Sequence, residues 1–67
     1  MEFKDKVKSL RAQLFITQEQ LAAALGCTFL TVNRWENGVK QPSFILEQKF
    51  KKFCKDNGIN PDELQKV

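Results

Sequence analysis

Cys27 and Cys54 are the side chains of this sequence best suited to nucleophilic or metal chemistry. They stand 27 positions apart with no Cys-x-x-Cys pair, and the chain has no His, so they cannot complete a four-ligand zinc site. Cys27 follows Gly26 at a helix start, where the positive end of the helix dipole can lower a thiol pKa. Both cysteines nevertheless lie within apolar patterns, the setting of reduced, packed thiols. The chain also lacks a Gly-rich phosphate loop, paired carboxylates at fixed spacing and any Cys–His arrangement. No enzyme, metal or cofactor is therefore expected. The cationic side chains offer a second chemistry, neutralisation of phosphates. Lys49, Lys51, Lys52 and Lys55 form one basic run, but it falls in the last turns of a helix, where cations favour the dipole and stay solvated. Lys4, Lys6 and Lys8 form another, interleaved with Glu2 and Asp5.

The chain has 67 residues, 42% apolar and 28% charged, which suits one small globular domain over residues 1–67. Eleven Lys and Arg against eight Asp and Glu give +3, a mildly basic balance that permits nucleic-acid binding without demanding it. No apolar run approaches the ~18–20 residues of a membrane span. The segment MEFKDKVKSL carries charge throughout and has no apolar signal-peptide core. A cytoplasmic protein without membrane association is expected.

Turn signals divide the chain into five short helices. Phe3, Val7, Leu10 and Leu14 line one face of the first. Thr17 with Gln20 makes a capping box for the second, whose inner face is Leu21, Ala22 and Leu25 and whose stop is Gly26. Thr28 caps a third helix running to about Glu36, with Val32 and Trp35 inward, and Asn37-Gly38 ends it. Ser43 caps the fourth, which carries Leu46, Phe50 and Phe53. Asn60-Pro61-Asp62-Glu63 supplies cap, first-turn proline and acidic first turn for a short fifth helix with Leu64 inward. No segment alternates over more than a few residues, so the fold class is all-α, a five-helix bundle.

The second and third helices are joined by about three residues around Gly26. So tight a join makes the helices cross steeply and nearly touch. The crossing needs an apolar residue beside a small one, then another apolar residue before the turn. Leu21, Ala22 and Leu25 supply these. The turn needs a residue tolerant of positive φ and then a modest apolar one, here Gly26 and Cys27. The outgoing helix must send two apolar residues inward one turn apart, here Val32 and Trp35. All seven positions fit.

These residues resemble the helix-turn-helix of the Cro and phage-repressor type, also called the xenobiotic-response-element family. Residues 17–38, TQEQLAAALGCTFLTVNRWENG, carry the pattern tightly. Thr17-Gln18, Trp35-Glu36-Asn37-Gly38 and Gln41-Pro42-Ser43 are similar to family signatures, which implies a lambda-repressor-like DNA-binding domain.

The resemblance implies that the third helix lies in the major groove of double-stranded DNA while the second crosses the backbone. Gln18 matches a position that bonds a phosphate and braces the recognition helix. Thr28 and Thr31 match positions near the sugar-phosphate chain. Phe29, Leu30, Asn33 and Arg34 point away from the Val32–Trp35 face and can reach bases. Asn37, Lys40 and Gln41 match backbone-contacting positions. Arg34 is the foremost base reader, since its planar fork can bond both acceptors of a guanine. Asn33 could contact adenine, or a phosphate at the groove edge. Arg11 and Glu36 match a pair that bridges the first and third helices in relatives.

Two positions depart from the family. Phe29 and Leu30 stand where relatives commonly carry polar residues; they can meet thymine methyl groups but cannot hydrogen-bond bases. Phe15 stands where relatives often have Gly. A Phe at positive φ costs ~1–2 kcal/mol, so the connection is expected to differ locally, with Phe15 and Ile16 packed on the core.

Two functions follow. One is a sequence-specific DNA-binding transcription regulator, expected to repress as a homodimer on a palindrome with half-sites ~34 Å apart. Ile59, Leu64 and Val67 would supply dimer surface or else seal the monomer core. With no second domain to sense a small-molecule ligand, control would fall to protein concentration, dimerisation or a partner. The other is a protein-binding module on the same fold, an antitoxin-like subunit or adaptor. The apolar Phe29-Leu30 pair favours it, as do the charges of residues 17–41 (Glu19, Arg34, Glu36 and Lys40), which sum to zero.

Overall fold

Trp35 is the largest fully buried side chain, 2% exposed, and every helix contributes to the core around it. The computed structural model describes residues 2–64. Four α-helices, α1 (Phe3–Leu14), α2 (Gln18–Leu25), α3 (Phe29–Glu36) and α4 (Phe44–Asp56), are followed by a single 3-10 turn at Pro61–Glu63. The core joins Val7 and Leu10 of α1, Leu21, Ala22 and Leu25 of α2, Val32 and Trp35 of α3, and Phe50 and Cys54 of α4, closed by Leu64. Phe3 meets Trp35 and Phe50 edge-on, with ring centroids 5.3 and 5.0 Å away. Each fully buried Leu, Val or Phe in such a cluster contributes ~1.5–3 kcal/mol, which holds a chain this short together.

The helix boundaries follow their caps. The Thr17 amide donates to Gln20 Oε1 at 2.8 Å, and the Gln20 amide donates back to Thr17 Oγ1 at 3.1 Å. Gly26 closes α2 at φ 73°, which lets its own N–H and that of Cys27 reach the last free carbonyls of the helix. The Ser43 hydroxyl accepts from the Leu46 amide to start α4.

Two expectations are corrected. The fifth helix is only the 3-10 turn. Asn60 Oδ1 accepts from the Asp62 amide, as a cap should, but Leu64 already has extended backbone and drops into the core. Three residues cannot complete an α-turn. Phe15 does adopt positive φ, at 56°, and is 93% exposed rather than packed. The left-handed turn lets the Phe15 and Ile16 amides bond Arg11 O and swings Ile16 onto the core. Capping α1 and burying Ile16 outweigh the local strain at Phe15.

Ile59 is half-buried against the core and Leu64 is buried, so both seal the monomer. Val67 lies outside the described residues. No described helix is long and apolar enough to cross a membrane.

Candidate nucleic-acid interface

The inward face of α3 is fixed before its outward face is considered. Val32 and Trp35 are buried, and Glu36 at its end is only 5% exposed. Glu36 is held from α1: Arg11 Nε donates to its Oε2 at 2.5 Å and Nη2 to its Oε1 at 2.8 Å. The Arg11 Nη1 atom also donates to Ile16 O at 3.3 Å. The Glu36 hydrogen bond raises the Arg11 pKa above its already high ordinary value, against the opposing effect of partial burial. The other end of α3 is set by the Gly26 corner and by Thr28, whose Oγ1 accepts from the Thr31 amide.

With those anchors, the helix turns Phe29, Leu30 and Arg34 outward. Phe29 is 47% and Leu30 50% exposed, and Arg34 is exposed. Asn33 is half-buried and committed within the protein. Its Nδ2 donates to Gln18 Oε1 at 3.3 Å, while its Oδ1 accepts from Asn37 Nδ2 at 3.1 Å. The Thr28 and Thr31 hydroxyls lie 3.0 Å apart and bond each other. Thr31, Arg34, Lys40 and Gln41 border one surface depression, together with Trp35, Ser43 and Leu46. Gln18 and Asn37 are joined to this surface through Asn33.

Of the amide chain Asn37–Asn33–Gln18, the bracing role of Gln18 was expected from the family resemblance, but its partner was not. Asn33 and Asn37 are four apart, so their contact could have been read from helical spacing. The Gln18 link crosses between helices and depends on their packing. It orients the Gln18 side chain, because Oε1 accepts from Asn33 and the amide's two donors remain for an outside group. Three exposed apolar residues also went unassigned: Val39 in the loop, and Phe44 and Ile45 in the first turn of α4.

The thiols, and Lys51 and Lys52 of α4, take little part. Burial pushes the Cys27 thiol up despite nearby Lys49, and burial pushes Cys54 up to about 11, so neither is poised as a thiolate. Lys51 pairs with Glu47 at 3.5 Å and Lys52 with Asp56 at 3.0 Å, both exposed to solvent along α4.

The chain's similarity to known proteins agrees with this geometry. A family model described as helix-turn-helix matches residues 7–64. Comparisons with curated proteins and with solved structures found no match.

Proposed function

The chain belongs to the helix-turn-helix family of the Cro and phage-repressor type, a family of DNA-binding regulators, and from that premise we propose that residues 1–67 act as one module that binds double-stranded DNA sequence-specifically and represses transcription. The observation that carries this reading is the outward edge of α3, with Arg34 exposed on a helix fixed from behind by Trp35 and the Arg11–Glu36 pair. In this reading Arg34 contacts a guanine, while Phe29 and Leu30 meet base edges nearer the start of the helix. Gln18, whose Oε1 is held by Asn33 while its amide donors stay available, bonds a phosphate beside the α2 N-terminus. Thr28, Thr31, Asn37, Lys40 and Gln41 lie along the backbone, and Asn33 holds Gln18 and Asn37 in place. One eight-residue recognition helix offers few base contacts. A two-fold homodimer on a palindrome supplies the rest. The protein works in the cytoplasm.

Residues 17–41 carry no net charge, so binding leans on hydrogen-bond donors and falls only shallowly with salt. The exposed apolar residues Phe29, Leu30, Val39, Phe44 and Ile45 favour a second reading, a protein-binding module such as an antitoxin-like subunit or adaptor. Selection from a random duplex pool at two salt concentrations separates the two. The regulator enriches a short palindrome, and Arg34→Ala abolishes the enrichment while leaving the helical melting curve intact. No enrichment, with Phe29→Ser altering only the capture of a protein partner, would establish the second reading.

A further inference from the structure

Several outward polar groups on α3 are already partly engaged within the protein. The Thr28 and Thr31 hydroxyls bond each other, and Thr28 Oγ1 also accepts from the Thr31 amide. The Asn33 amide is engaged on both sides. The outward side chains with no hydrogen-bonding or ionic partner among the described residues are an apolar pair at the start of the helix, Phe29 and Leu30, and one cation a turn further on, Arg34. An apolar side chain pressed against hydrogen-bonding base edges would leave them dry and unpaired. The major groove offers one apolar feature to match it, the C5-methyl group of thymine. The minor groove has no such group and is too narrow for a helix.

We propose that Phe29 and Leu30 form a specificity-determining contact for a thymine methyl group, placed about two base steps from the guanine bonded by Arg34. This inference rests on the DNA-binding reading above. The spacing comes from the helix itself. Leu30 and Arg34 are four residues apart, a rise of ~6 Å along the axis. Stacked bases along one strand are ~3.4 Å apart, so the two contacts fall about two steps apart. Leu30 lies one turn before Arg34 on the same face of α3, with Phe29 beside it in the chain, in a family that binds DNA.

The test starts from the duplex that the protein enriches from a random pool. Each thymine is replaced in turn by deoxyuridine, which removes the methyl group and keeps every hydrogen-bonding atom. At one or two positions the wild-type protein should bind about fourfold more weakly, the equivalent of one buried methylene, ~0.8 kcal/mol. Leu30→Ser and Phe29→Ser should bind the two duplexes alike; both sites are half-exposed, so these variants keep the fold. Replacing a guanine about two steps away with 7-deazaguanine should weaken the wild type but not Arg34→Ala. Equal affinity of the wild type for thymine and deoxyuridine duplexes would overturn the methyl contact and leave the DNA-binding reading standing. Failure to enrich any duplex would overturn both.

Discussion

Arg11 on α1 grips Glu36 at the end of α3 through two parallel bonds, Nε to Oε2 at 2.5 Å and Nη2 to Oε1 at 2.8 Å. The carboxylate is buried and the guanidinium partly so, so the pair ties α3 to the body at its C-terminal end. Removing one partner strands the other. Arg11→Met is expected to destabilise the domain by about 2–4 kcal/mol, toward the lower end because the Arg11 side chain keeps some solvent. The double variant Arg11→Met/Glu36→Leu should recover at least half of that loss, since it removes the buried charge as well. Urea unfolding of the three proteins measures both quantities. Equal stability of the single and double variants would show that the pair, and not the stranded carboxylate, dominates.

Phe15 sits in the left-handed region at φ 56° with its ring in solvent. Phe15→Gly relieves the strain without removing any packing, while adding some freedom to the unfolded chain. The net effect is a stabilisation of roughly 0.5–1 kcal/mol, a rise of several degrees in melting temperature. A fall in melting temperature would mean that the Phe15 ring makes a contact in solution that its exposure does not suggest.

Asn33 joins Gln18 to Asn37. Asn33→Ala breaks both bonds, yet Asn33 is only half-buried, so stability should change by less than about 1 kcal/mol. DNA affinity should fall about three- to tenfold, and by the same factor for operator and random duplexes, because the proposed reading sets the groups being held against the backbone. Arg34→Ala, in contrast, should lower operator affinity alone. Electrophoretic titration of both variants on both duplexes decides it; a loss confined to the operator would make Asn33 a base reader.

Burial raises the Cys54 thiol to about 11. The folded chain therefore keeps this proton to higher pH than the unfolded chain, which ionises from about pH 9. The stability gained by holding the thiol neutral is complete below that point and is lost as pH rises toward 11. The loss is on the order of 2 kcal/mol. Denaturant midpoints at pH 8 and pH 10.5 should diverge more for the wild type than for Cys54→Val, which keeps the half-buried Cys27 thiol but lacks the buried one.

Much of this architecture was legible because its signals are local. Thr17 with Gln20, Gly26, Thr28 and Ser43 each set a boundary through hydrogen bonds within four residues, and the Leu21–Trp35 pattern specified the crossing. The misreadings came where tertiary demand overrode local preference. At Phe15, capping α1 and placing Ile16 prevailed over a backbone penalty. Beyond Pro61, burial of Leu64 cut short a helix that began with a strong start signal. For the interface, residue types showed which side chains could face outward. They could not show that Asn33 bonds Gln18 of α2 or that the two threonine hydroxyls meet, since those contacts depend on rotamers and on the approach of two helices.

Helix α3 is secured at both ends before any DNA arrives, by Thr28 and the Gly26 corner at one and by the Arg11–Glu36 clamp at the other. Complex formation therefore carries no coupled folding of α3. The heat-capacity change on association should be modest, set by the apolar surface that the partners cover rather than by a segment becoming ordered. Calorimetry across a range of temperatures would then trace a shallow enthalpy slope, the signature of a rigid reader meeting its site.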